Sequence, residues 1–252
     1  MGSSGHGVMR SVMWVLLAVV ALGIGVASAF QIRGALERER EYRGAPACSA
    51  VPVEASGCVW EQEFTVRRAA MNRGERGESP EAELVPASGE PWEVTFLRTE
   101  PVMSEMQPGE RVVGVIWHGR VVEVRDAEGR RQQTSEGPVG WPEDRLGGAL
   151  ACTSFGLAAL AGGLWPLFAR GRPRHATAAK MVRWHGVALG GTAILTLWAQ
   201  AANEWPFWAL PAIWGPLALL ILTSMTAFTL GALRGDLDDD APAPLEPRPQ
   251  PS

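Results

Sequence analysis

Residues 11–32 read SVMWVLLAVVALGIGVASAFQI, twenty-two positions without a charged side chain, closed by Arg10 on one side and Arg33 on the other. A helix of roughly 20 apolar residues, rising about 1.5 Å per residue, crosses a hydrocarbon core about 30 Å thick. This stretch is long enough to do so. Working outward from it, residues 146–169 and 205–233 also carry no charge, and residues 184–203 hold only His185. The chain's mean hydropathy of +0.01 conceals these blocks, because the polar segment 31–145 offsets them. The expected class is a membrane α-helical protein with four transmembrane helices plus a small all-β extracytoplasmic domain, barrel-like or sandwich-like.

The expected division places a cytoplasmic N-terminus at 1–10 and transmembrane helix 1 at 11–32, followed by an extracytoplasmic β-rich domain at 33–145. Transmembrane helix 2 is expected at 146–169, a basic cytoplasmic loop at 170–183, and transmembrane helices 3 and 4 at 184–203 and 205–233. A disordered acidic, Pro-rich cytoplasmic tail is expected at 234–252.

Charge sets the orientation. The loop at 170–183 carries Arg170, Arg172, Arg174, Lys180 and Arg183 and no acid, and short loops rich in Lys and Arg stay in the cytoplasm. Counting from that loop puts both chain termini inside and residues 31–145 outside. Arg33, Arg38, Arg40 and Arg43 oppose this assignment, although they alternate with Glu37, Glu39 and Glu41. Residues 11–32 also fit a cleavable signal peptide, with Arg10 ahead of the apolar run and Ala27-Ser28-Ala29 as the small-residue cleavage pattern. Their length exceeds the ~7–15-residue apolar core of such peptides, which favours an uncleaved anchor. Either way, the following segment is exported.

That segment carries fifteen arginines against twenty-one acids, a net −6 that argues against nucleic acid as a partner. Cys48 and Cys58 lie within it, where an oxidising compartment would let a disulfide persist. Two unrelated thiols are the alternative. A zinc pair lacks a second pair of Cys or His suitably placed. The third cysteine, Cys152, reads as a small packing residue in an apolar block.

Five β-like runs separated by Gly and Pro follow, at 59–66, 92–98, 111–117, 120–125 and 130–134. The clearest pair is 111–117 and 120–125, joined by His118-Gly119. A two-residue loop ending in Gly predicts a hairpin whose turn needs positive φ at both positions. His118 is therefore read as a turn residue rather than a catalytic group or a metal ligand. Pro108-Gly109-Glu110 predicts a tight turn ahead of it, residues 72–79 an exposed mobile loop, and residues 36–42 a charged helical continuation of the first membrane helix.

In the apolar blocks, Trp184, Trp205 and Trp208 fall at helix ends, where indole suits the interface. Gly186 and Gly190 form a small-xxx-small pair for close packing within the bundle, and Pro211 and Pro216 should bend the last helix. Ionisable side chains at membrane depth, which pumps need, are missing apart from His185, read as interfacial next to Arg183.

Pro108-Gly109-Glu110-Arg111-Val112 and Ile116-Trp117-His118-Gly119-Arg120-Val121-Val122, set between a first helix with a spaced Cys pair and further helices, resemble a family of uncharacterised membrane proteins. That family belongs to high-GC Gram-positive bacteria and carries a β-rich extracytoplasmic insert between membrane helices. The resemblance covers roughly residues 47–146 and the general topology. Its motifs are structural, so it implies no catalytic residue.

Three functions compete. The first is a non-catalytic integral membrane protein of the cell envelope, anchored in the lipid bilayer, whose β domain serves binding or assembly with an envelope protein or with a second copy. The second is a membrane-embedded enzyme. The chain has no His-Glu-x-x-His, Gly-x-Ser-x-Gly, Cys-x-x-Cys or phosphate loop, and Glu61, Glu63 and Glu93 read as solvated strand positions. The third is a small-solute or lipid transporter or its accessory subunit, although polar residues available to line a path, such as Thr153, Ser154, Thr192, Thr196 and Gln200, are sparse and fit helix packing. No catalytic residue, cofactor or metal ligand is expected, and the site residues assigned are the disulfide cysteines Cys48 and Cys58.

Overall fold

A computed structural model of the chain describes residues 3–51, 57–71, 79–87, 89–169, 172–203 and 205–235. The elements run α1 (Ser3–Gly44), β1 (Val59–Ala70), β2 (Glu81–Pro86), β3 (Trp92–Thr95), β4 (Arg111–Trp117), β5 (Arg120–Arg125), β6 (Arg131–Gln133), α2 (Trp141–Phe168), α3 (Pro173–Asn203) and α4 (Ala209–Arg234). They form two compact units, one of residues 33–142 and one of residues 1–32 and 143–252, so the division falls inside α1. The loop expected at 72–79 and the tail expected at 234–252 lie outside the described residues, except for Ser79, Arg234 and Gly235.

The β unit holds one antiparallel sheet in the order β3-β2-β1-β4-β5-β6, two meanders joined where β1 pairs with β4. Six strands form, where five were expected. The addition is β2, whose Ala82, Leu84 and Pro86 turn inward while Glu81, Glu83 and Val85 are half-exposed. Glu81 and Glu83 meet Arg68 and Arg67 of β1, each pair at 3.0 Å.

The sheet curls until its two outer strands approach. Phe96 and Thr134 form an antiparallel bridge, and the Ser135 amide donates to the Thr95 carbonyl at 2.8 Å. Phe64, Leu84, Phe96, Ile116 and Val124 fill the concave side. Gly114 is required there. A β-carbon on it would stand 2.6 Å from the Phe64 ring, which is why a glycine interrupts an otherwise β-branched strand.

The segment between β3 and β4 plugs this core with Val102, Met103 and Met106. Gln132 of β6 holds the plug. Its carbonyl oxygen accepts from the amides of Val102 at 2.7 Å and Met103 at 2.8 Å, and its amide donates to the Arg98 carbonyl at 2.7 Å. Buried backbone donors need such acceptors. A side chain supplies them because no neighbouring strand can.

The hairpin follows its sequence signal, with His118 at φ 49° and Gly119 at φ 73° between β4 and β5. Gly109, at φ 90°, closes a turn in which the Glu110 amide donates to the Gln107 carbonyl. That is the φ a type II turn asks of the residue after proline.

Among the described residues, three helices are long and apolar enough to cross a membrane: Val8–Gly44, Trp141–Phe168 and Ala209–Arg234. α3 is not among them, because Lys180, Arg183, His185 and Gln200 lower its average apolarity. The basic segment 170–183 is not wholly a loop. α3 begins at Pro173, a residue whose fixed φ and missing amide suit the first helical position. Pro211 likewise falls in the first turn of α4, where no intrahelical bond is lost, and only Pro216 sits in its interior.

Glycines bring the helices together. A β-carbon on Gly186 would stand 2.5 Å from the Ala158 β-carbon, and one on Gly190 3.1 Å from that of Phe155, so this pair packs α3 against α2. Gly156 meets Leu22 and Gly163 meets Val15 in the same way, packing α2 against α1. Gly191 faces open space.

Candidate functional site

Beyond residue 32, α1 continues as Arg33-Gly-Ala-Leu-Glu-Arg-Glu-Arg-Glu-Tyr-Arg-Gly44, the expected charged extension. Two of its four arginines pair with acids one turn away. Arg33 pairs with Glu37 at 2.8 Å, Arg43 pairs with Glu39, and the Arg38 guanidinium lies 5.8 Å from the Trp141 ring centre.

Where the helix ends, the chain turns back through a parallel bridge between Ala47 and Val59. The Cys48 amide donates to the Val59 carbonyl and the Val59 amide to the Pro46 carbonyl, both at 2.9 Å. Cys48 and Cys58 are joined by a disulfide, with α-carbons 5.2 Å apart. Both expected site residues are therefore brought together. Closing a ring of this size is worth on the order of 3 kcal/mol in the chain-entropy account.

This joint carries a second small core on the outer side of β4 and β5. Val115, Trp117 and Val122 are buried there, with Tyr42, Ala45 and Val59 packed against them. Burial, then the Glu123 carboxylate, push the Tyr42 phenol above its ordinary pKa, while Arg125 and Arg131 pull the other way. Beside it, His118 Nε2 lies 3.4 Å from Glu41, and its ring stacks obliquely on Trp117 at 4.3 Å. His118 thus serves a turn and touches the end of the helix extension.

Two surface hollows mark the β unit. One, about 630 Å³, is lined by Glu105, Gln107, Pro108, Glu110, Glu128 and Arg130. Arg130 bonds Glu105 at 2.7 Å and Asp126 at 2.6 Å, so its guanidinium is already engaged. The other, about 240 Å³, opens along the seam below the Phe96–Thr134 bridge, between Trp92, Glu93 and Val94 of β3 and Gly119, Arg120 and Val121, with Glu136 at its edge.

The carboxylates weighed as catalytic candidates do not converge. Glu61 is held by Arg125 at 2.6 Å, Glu63 is exposed, and Glu93 lies at the seam. Among the described residues no group of three His, Cys, Asp or Glu is placed to hold a metal.

In the helical unit four of the five polar candidates, all but Thr153, hydrogen-bond within the bundle. Ser154 donates to the Leu150 carbonyl, Thr192 to Leu189 and Thr196 to Thr192. Gln200 donates to the carbonyls of Trp205 and Pro206, both at 3.2 Å, closing the turn from α3 to α4. His185, expected to be interfacial next to Arg183, has Nδ1 2.8 Å from the Met181 carbonyl and Nε2 3.2 Å from Ser224 Oγ on α4. Ser224 was invisible as a partner, since the two are 39 positions apart.

No protein-family model, curated protein or solved structure matches this chain.

Proposed function

We propose that this is a multi-pass protein of the cytoplasmic membrane. All four helices cross, both termini are cytoplasmic, and the β domain stands outside as a non-catalytic module for binding or assembly in the cell envelope. The observation that carries this reading is the Cys48–Cys58 disulfide. Disulfides persist in oxidising compartments, and this one lies in the β unit, next in sequence to a helix of membrane length.

The basic run at 170–183 supports the same sidedness. A crossing by α3 is supported by Ile194, Leu195 and Trp198, which are large, apolar and exposed, as a lipid-facing surface requires. The seam cleft beside Trp92 suits an extended segment of an envelope protein or of a second copy, and the domain's excess of acid disfavours nucleic acid. The family resemblance noted above agrees with this arrangement.

Ala176→Cys and Asn203→Cys, each in a Cys152→Ser background, test the crossing by α3. An impermeant thiol reagent on intact cells should reach the second and not the first. Equal labelling of both would mean that α3 lies on one side.

A further inference from the structure

We propose that Arg10 and Arg183, flanked by Lys180, form a seat for the phosphate of an anionic lipid headgroup at the cytoplasmic end of the helical unit. The inference rests on the reading that these helices cross a bilayer. Three helices build the seat. The Arg183 side chain leaves α3 and lies across Gly162 of α2, where a β-carbon would stand 2.5 Å from its Cγ. Its Nη1 donates to the Gly162 carbonyl at 3.3 Å, and its guanidinium sits 5.6 Å from the centre of the Trp14 ring on α1. Arg10, exposed and one turn before Trp14 on α1, brings a second cation to the same end of the unit.

The arrangement is half complete. Arg183 is half-buried, and among the described residues no carboxylate pairs with it or with Arg10. A guanidinium withdrawn from water next to a second cation is costly unless an anion answers both. One carbonyl and one ring face leave most of its five donors unused. Lys180 stands three positions earlier on α3, on the same face and exposed. A phosphate diester accepts from such donors in pairs. Arg10 and Arg183 directly precede the apolar stretches 11–32 and 184–203, so they share the depth at which a bilayer holds its headgroups.

The test is native mass spectrometry of the full-length protein released from detergent, offered equal amounts of phosphatidylglycerol and phosphatidylcholine. Wild type should retain phosphatidylglycerol in preference. Arg183→Gln and Arg10→Gln should each lower that preference about fivefold, the ratio expected per basic side chain at an anionic surface. Arg183→Lys should keep most of it, and Arg111→Gln, in the β unit, all of it. Should Arg183→Gln fail to fold, exposed Arg10 carries the test. Equal retention of the two lipids by wild type, or an undiminished preference in Arg10→Gln, would overturn the inference. Displacement of the lipid by excess inorganic phosphate would overturn it too, because the site would then take a free anion. A chain that stays soluble without detergent would instead overturn the membrane reading on which the inference rests.

Discussion

Tyr42 and Trp117 stack edge to face, with ring centres 5.5 Å apart and planes inclined by 63°. Tyr42 is in the last turn of α1 and Trp117 ends β4, so the pair fastens the helix extension to the outer side of the sheet. Such pairs contribute about 0.5–1.5 kcal/mol beyond the area they bury.

Tyr42 is the only tyrosine in the chain, so tyrosinate absorbance reads it alone. Its folded pKa is raised, chiefly by burial and next by Glu123. The neutral phenol is therefore favoured by folding. The stability this contributes is fully present below the unfolded value of about 10 and is lost as pH rises through the higher folded value. Titration should show ionisation displaced upward in the native protein, and Glu123→Gln should move it part of the way back. An ordinary titration curve in the folded state would contradict this packing.

Gln132→Leu should destabilise the β unit, because the amides of Val102 and Met103 lose their acceptor. Each buried orphan donor costs about 1–3 kcal/mol. Hydrogen exchange on the full-length protein should show these two amides opening faster than their neighbours in β4. Unchanged protection would mean that the plug is held by its apolar side chains alone.

Gly186→Leu and Gly191→Leu are one chemical change at two neighbouring places. The first drives a β-carbon into Ala158, whereas the second meets nothing within 4 Å. Thermal melting in detergent should show a loss of about 1–3 kcal/mol for Gly186→Leu, the usual cost of overpacking, and little change for Gly191→Leu.

How much of this could be read beforehand follows from how local each signal is. The β4–β5 hairpin was legible because His118-Gly119 carries its turn chemistry in two residues, and the extension of α1 because its charges repeat without a breaker. β2 was not legible. Its six residues end in Pro86, follow Pro80 and bury only Ala82, Leu84 and Pro86, so its alternation gains meaning only between β1 and β3. The Phe96–Thr134 seam, the Gln132 latch and the His185–Ser224 bond join residues about thirty or more positions apart, and no local pattern announces them. The paired cysteines were readable because oxidation needs only proximity and compartment, and Gly186 and Gly190 because close helix approach demands small residues at that spacing.

The most direct measurement of the central claim is cysteine accessibility in intact cells, using an impermeant maleimide before and after reduction on wild type and on the Cys48→Ser, Cys58→Ser double variant. The account predicts labelling only after reduction, and none in the double variant. Labelling of those cysteines that requires permeabilised membranes would contradict it, because the β domain would then face the cytoplasm.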